Sequence, residues 1–233
     1  MILQTEVFQF WKAPSFRFTL RKMLKNILWD NDGTLIDTAT LFCDANRVAL
    51  LSKNILMDEK LFVKISQKQG KSILEYYALK NSWNEKQLKE LYLLRQSKYT
   101  EMLKNGAALN YEAFNLIECL KQKGIKNFMV TGSSKNELLL EYSKKSDLLA
   151  LFDDIITADD CDRPKPHPDS LLLIIKKWHL YSNDSVVIDD LPRGIIAARK
   201  AGLKAIRYNP FVKKSKYASF SQLLYSLENI ANK

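Results

Sequence analysis

Histidine and cysteine are scarce in this chain of 233 residues. There are two histidines, His167 and His179, too isolated to make a metal pair. The three cysteines, Cys43, Cys119 and Cys161, are odd in number and widely scattered, and no pair has metal-ligand spacing. They read as reduced thiols of a cytoplasmic protein. Long apolar runs are missing too. No stretch reaches about eighteen apolar residues, so neither a membrane span nor a membrane partner is expected. The chain has no internal repeat and no low-complexity run, and it lacks a nucleic-acid motif.

What is present is apolar content and positive charge. Hydrophobic residues make up 46%, enough for a sizeable core, and the length suits one large domain or one domain with an insert. The net charge of +10 can attract nucleic acid or steer anionic metabolites. The lysines are spread along the chain and alternate with acids, as in Asn84-Glu-Lys-Gln-Leu-Lys-Glu-Leu91. That pattern is a solvated helix face, so steering or solubility outweighs a nucleic-acid partner.

Residues 25–37 carry the densest signal. The apolar run Ile27-Leu28-Trp29 stops at Asp30, and Asp32, Gly33 and Thr34 follow. A short apolar run bounded by turn residues suits a buried strand. Side chains of a strand repeat every two residues, so Asp30 and Asp32 point to one side. Two acids there call for a cation or a proton between them. A calcium loop is excluded: with Gly33 at its sixth position, Leu28 and Ala39 would be the first and last ligands. A plain Asx turn stays open on this segment alone.

The first 22 residues stand apart, with Lys12, Arg17, Arg21 and Lys22 against Glu6. Three readings remain for them: a targeting signal, a mis-assigned start, or an extension packed on the fold. The folded core is expected from residue 23. Helical spacing then fills 39–106, with segments at 40–53, 58–67, 72–79 and 85–105, and makes a small helical bundle. Beyond it, strands and helices alternate. Strands are expected at 125–130, 152–157, 185–188 and 205–208, and helices at 111–122, 135–145, 169–178 and 192–201. Such alternation implies right-handed crossovers and a parallel sheet. The fold class is therefore α/β, a three-layer α/β/α Rossmann-like sheet. Its core is 23–38 with 107–233, and 39–106 is an inserted all-helical domain.

Strand ends or nearby loops now carry Asp30 and Asp32, Thr131, Lys165, and Asp189 with Asp190. The C-terminal edge of a parallel sheet is where ligands bind. Converging acids with oxygen ligands suit Mg²⁺. A lysine and a hydroxyl beside the backbone amides of Gly132 and Ser133 suit phosphate. Together they spell phosphoryl transfer through an acyl phosphate.

These elements, in this order, resemble the haloacid dehalogenase superfamily, in its phosphoglycolate phosphatase and β-phosphoglucomutase branch. Asp30-Asn-Asp-Gly-Thr-Leu-Ile-Asp37 is similar to its first motif, Thr131 to the second, and Lys165 in Arg-Pro-Lys-Pro-His-Pro-Asp169 to the third. Ile188-Asp-Asp-Leu-Pro-Arg-Gly-Ile-Ile-Ala-Ala-Arg-Lys-Ala-Gly202 is similar to the fourth, and the helical insert to that branch's cap. The resemblance implies that Asp30 attacks phosphorus and that Asp32 is general acid, then general base. It implies that Asp30, the Asp32 carbonyl and Asp190 hold Mg²⁺, with Asp189 acting through a water. Thr131 and the Gly132 amide would bind the phosphate, and Lys165 would neutralise it. Lys135 and Asn136 would lie near the phosphate. Gln69, Lys71 and Ser72 are the candidates for substrate contact, with a solvated turn as their plain alternative. The expected activity is a Mg²⁺-dependent phosphatase of a small phosphorylated metabolite. The rivals are a phosphosugar mutase on the same fold and a non-catalytic phosphate-binding or signalling protein. Oligomeric state is not legible.

Overall fold

The computed structural model describes residues 24–69, 71–212 and 217–231. The readings made for the first 22 residues lie outside these. Among the described residues, five strands are β1 (Asn26–Trp29), β2 (Lys126–Val130), β3 (Asp154–Ile156), β4 (Ser185–Asp189) and β5 (Lys204–Arg207). Nine α-helices accompany them: α1 (Thr38–Leu51), α2 (Glu59–Phe62), α3 (Ile73–Lys80), α4 (Glu85–Asn105), α5 (Tyr111–Gln122), α6 (Lys135–Glu141), α7 (Asp169–Trp178), α8 (Pro192–Lys200) and α9 (Phe220–Ala231).

The chain divides into two compact units. Among the described residues, 24–37 and those from Ala108 onward form one, and those of Thr38–Ala107 form the other. In the first, the sheet order is β3-β2-β1-β4-β5 and every pairing is parallel. β1 is central, with Trp29 beside Met129 on one flank and Ile188 on the other. All four β1 residues are buried, as expected of a strand covered on both faces. Alternate side chains feed two cores. Ile27, Trp29, Met129, Val186 and Ile188 pack with Phe114, Ile117, Leu138, Tyr142 and Leu224. Leu28, Phe128, Val130 and Val187 pack with Leu171, Ile174, Ala197 and Ala198. Helices α5, α6 and α9 therefore cover one face and α7 and α8 the other, which makes three layers.

Two polar side chains of this core are matched to each other. The fully buried Trp29 indole donates to Asn127 Oδ1 at 3.0 Å, and Asn127 Nδ2 donates to the Ile125 carbonyl at 3.0 Å. Asn110 caps α5 and also donates to the Thr34 carbonyl at 3.0 Å and the Tyr208 hydroxyl at 3.2 Å. One side chain thus ties the turn after Asp32 to the end of β5.

The second unit has its own core of Ala49, Leu50, Phe62, Ile65, Ile73, Leu74, Tyr77 and Leu91. Asp58 caps α2, and Asn84 opens α4 with a reciprocal Asn84–Gln87 capping box. The segment expected at 58–67 is not one regular helix. After α2 the chain widens into a π-helical turn at Val63–Lys68.

Three further features depart from the expected element map. α6 ends at Glu141 rather than 145, and a 3₁₀ turn follows at Ser146–Leu151. The strand expected at 152–157 is reduced to Asp154–Ile156. Helix α9 had no counterpart in the sequence reading; it buries Leu223, Leu224 and Leu227 against the first core. Among the described residues, no helix is long and apolar enough to cross a membrane.

Candidate active site

The C-terminal edge of the sheet gathers the acids. Asp30 leaves β1 with its amide on the Ile188 carbonyl at 2.8 Å, so it stays in register with β4. Asp189 ends β4, and Asp190 follows it. Carboxylate oxygens of Asp30, Asp189 and Asp190 lie within 4.8 Å of one another, and all three residues are buried. Two unit charges at that spacing repel by about 3 kcal/mol at an effective dielectric of about 20. The cluster therefore needs compensation.

Lys165 supplies part of it. Its Nζ lies 2.6 Å from Asp30 Oδ1 and 2.9 Å from Asp189 Oδ2, and it donates to the Val130 carbonyl at 2.9 Å. Its side chain is 8% exposed. Burial opposes the ammonium charge, but Asp189 and Asp30 outweigh burial and hold the group above the usual lysine range. One lysine does not neutralise three acids. Burial, then the Asp189 charge, pushes the Asp30 carboxyl up to about 7 despite Lys165. Burial, with Asp30 and Asp189, raises Asp190 well above the usual range, while Arg193 pulls it back. Buried carboxylates that resist ionisation are short of positive charge. Their all-oxygen donor set fits a hard divalent cation.

Two glycines make room for the acids. Gly33 has φ +82°, a turn conformation that favours glycine, and a Cβ there would overlap the Asp190 carboxylate. A Cβ on Gly194 would overlap the Asp189 carboxylate. Asp189 Oδ1 also accepts from the Leu191 amide at 2.9 Å, just before α8. β5 holds this strand end from outside: the Tyr208 amide donates to the Asp189 carbonyl at 3.0 Å and Arg207 Nε to the Asp190 carbonyl at 2.9 Å.

Asp32 is only partly buried, and its side chain belongs to a different set. The Thr131 hydroxyl donates to Asp32 Oδ2 at 2.9 Å, and the Ser133 hydroxyl lies 3.0 Å from the same oxygen. The Ser133 amide donates back to Thr131 Oγ1 at 2.9 Å. Thr131, read as a phosphate ligand, thus has its hydroxyl turned to Asp32 here. Gly132 is exposed. The cap of α6 is Ser134, in a reciprocal box with Glu137.

Behind Asp32 lies a polar chain that sequence reasoning missed. Asn31 is fully buried; its Nδ2 donates to Glu141 Oε2 at 2.7 Å and its Oδ1 accepts from the Tyr142 hydroxyl at 2.7 Å. Glu141 Oε1 lies 3.4 Å from Ser133 Oγ. Burial, then the charge of Asp32, raises Glu141 to about 8. The readable signal was a glutamate three residues after Leu138, on the apolar face of α6.

The remaining candidates divide cleanly. Lys135 and Asn136 are exposed, and the Lys135 amide donates to Asp159 Oδ2 at 2.9 Å. Gln69, Lys71 and Ser72 belong to the helical unit. Gln69 and Lys71 are exposed there. Ser72 caps α3 by accepting from the Glu75 amide at 3.3 Å, and it lies 2.8 Å from the Tyr92 hydroxyl.

A family model described as haloacid dehalogenase-like hydrolase matches residues 27–208. A phosphorylated carbohydrates phosphatase of Thermotoga maritima is 28% identical over 187 residues, covering 78% of this chain and 84% of that protein. A phosphoglycolate phosphatase of Shigella boydii serotype 4 is 24% identical, covering 78% and 80%. In structure, a mutant of CbbY of Rhodobacter sphaeroides, solved in complex with xylulose-(1,5)bisphosphate, superposes with a TM-score of 0.65. It is 20% identical, and the match covers 84% of this chain and 92% of that one.

Proposed function

This chain belongs to the haloacid dehalogenase-like hydrolase family, and from that premise we propose that it is a Mg²⁺-dependent phosphatase of a small phosphorylated metabolite. The observation that carries the proposal is Lys165 held between Asp30 and Asp189 beside Asp190 at one sheet edge. That arrangement supports an anionic oxygen-rich substrate and a divalent cation. The names of the relatives support the substrate class: phosphorylated carbohydrates and phosphoglycolate.

Asp30 attacks the phosphorus of the ester, a phosphorus–oxygen bond forms on its carboxylate, and the ester phosphorus–oxygen bond breaks. Asp32 gives its proton to the departing alkoxide. Water then attacks the aspartyl phosphate, Asp32 takes the water's proton, and Asp30 and inorganic phosphate are released. Lys165 and the backbone at Thr131 and Gly132 offset the phosphoryl charge, so catalysis is positioning plus electrostatic stabilisation. Asp30, Asp189 and Asp190, with the Asp32 carbonyl, are the residues that would hold Mg²⁺. The ion would supply positive charge against the phosphoryl oxygens. We assign 39–106 as the cap that carries specificity. Free Cys43, Cys119 and Cys161 support a cytoplasmic setting.

The test is phosphate release from a panel of phosphate esters, with Mg²⁺ and with chelator, beside Asp30→Asn. Metal-dependent release by the wild type and none by Asp30→Asn is the expected result. No release under any condition refutes the proposal. Conversion of a sugar 1-phosphate to its 6-phosphate without release assigns a mutase instead.

A further inference from the structure

We infer that Glu141 is a positioning residue for Asp32, acting through the Ser133 hydroxyl as a neutral carboxylic acid. The inference rests on the proposed role of Asp32 as general acid and base. It comes from counting protons along the buried chain. The Tyr142 hydroxyl donates to Asn31 Oδ1 at 2.7 Å. Asn31 Nδ2 then donates to Glu141 Oε2 at 2.7 Å. Ser133 Oγ sits 3.0 Å from Asp32 Oδ2 and 3.4 Å from Glu141 Oε1. A hydroxyl has one proton to give. Asp32 also accepts from Thr131 at 2.9 Å, and the shorter serine contact is to Asp32. With the serine proton on Asp32, the contact to Glu141 is bonded only if the proton comes from Glu141.

Every donor then runs one way: tyrosine to asparagine, asparagine to glutamate, glutamate to serine, serine to aspartate. Reversing the serine would leave one of two acids facing a bare oxygen lone pair inside the protein, which is costly. The setting agrees. Glu141 is 6% exposed, and the charges that bear on it, Asp32 and Glu137, are both negative. Glu141 is too far along the chain of bonds to touch substrate. Its effect is to keep the serine proton aimed at Asp32, which holds that carboxylate in one orientation.

Glutamine can reproduce this pattern, with its amide nitrogen donating to Ser133 and its oxygen accepting from Asn31. Leucine cannot. The experiment measures kcat and KM for hydrolysis of para-nitrophenyl phosphate by Glu141→Leu, Glu141→Gln, Ser133→Ala and the Glu141→Leu/Ser133→Ala double variant, with Asp32→Asn alongside. Glu141→Leu and Ser133→Ala should each lower kcat by about 10- to 100-fold, the worth of one hydrogen bond to a charged group, with KM little changed. Glu141→Gln should recover to within about threefold. The double variant should lose no more than the worse single, because Glu141 acts through Ser133. A silent Glu141→Leu, a glutamine no better than leucine, or additive losses overturns the inference. If Glu141→Leu does not fold, an unimpaired Ser133→Ala overturns it, and an impaired Ser133→Ala with an active Glu141→Gln upholds it. An Asp32→Asn variant as active as wild type sinks the acid–base reading itself, whatever Glu141 does.

Discussion

Replacing Glu141 by glutamine should change how stability depends on pH, by an amount that follows from burial. In the folded chain, burial and the Asp32 charge lift this acid to about 8 from an ordinary 4.5. Unfolding releases it to its ordinary value. Between those two values the folded state holds more protons than the unfolded state, so wild-type stability falls as pH rises. The contribution is fully present below about pH 4.5 and is lost as pH climbs through about 8. At 1.36 kcal/mol per pH unit, the loss from pH 4.5 to 8 is about 4 kcal/mol. Glutamine has no proton to lose. Its stability relative to wild type should therefore rise by about 4 kcal/mol across that window. Urea unfolding of both proteins in metal-free buffers from pH 4.5 to 8.5 measures it, and the difference between two curves removes the contributions of Asp30 and Asp190. Parallel curves, with a constant offset at every pH, would refute the reasoning and mean that Glu141 is ionised when folded.

Other outcomes follow from the same geometry. Lys165→Met leaves Asp30 and Asp189 buried without their shared ammonium, and chemical denaturation should show a loss of about 3–5 kcal/mol. Gly194→Ala drives a methyl group into the Asp189 carboxylate; thermal unfolding should show a cost of about 1–3 kcal/mol and phosphate release should fall with it. Millimolar Mg²⁺ at about a hundred times its Kd should stabilise the chain by about 2.7 kcal/mol in a thermal shift, and Asp190→Asn should abolish most of that gain. Trp29→Phe strips Asn127 Oδ1 of its donor in a fully buried setting, and should cost about 1–3 kcal/mol by denaturant titration.

The parts of the fold that show periodicity were the legible ones. The spacing at 111–122 and 169–178 predicts α5 and α7 to the residue, because each puts one apolar stripe on the sheet. Asp30, Asp189 and Asp190 could be read because a strand that breaks into charge is rare inside a core, and Lys165, in a loop, through its Pro-Lys-Pro setting and the motif it resembles. The sequence is silent on the pairing of β1 with both β2 and β4, since any of the apolar runs could be central. Helix α9, with its stripe Leu223, Leu224 and Leu227, was missed although its start is marked: Ser219 precedes it and accepts from the Gln222 amide at 3.3 Å. The Asn31–Glu141–Ser133 chain escaped for another reason. Each member alone is an ordinary polar residue, and only the fold brings position 31 against position 141.

The central place of β1 has a consequence for how the protein comes into being. Asp30, the proposed nucleophile, precedes its partners in the chain: the hydroxyl that meets Asp32 lies 99 residues later and the ammonium that meets Asp30 lies 135 residues later. No local stretch of the chain can close the site, so its formation waits on loop closures of high contact order. A ribosome-bound chain that has not yet delivered β4 would hold Asp30 on a strand with β2 alone as its neighbour and neither Asp189 nor Asp190 beside it. Until β4 emerges the proposed site is incomplete, and the open edge of β1 is the segment a chaperone would need to shield.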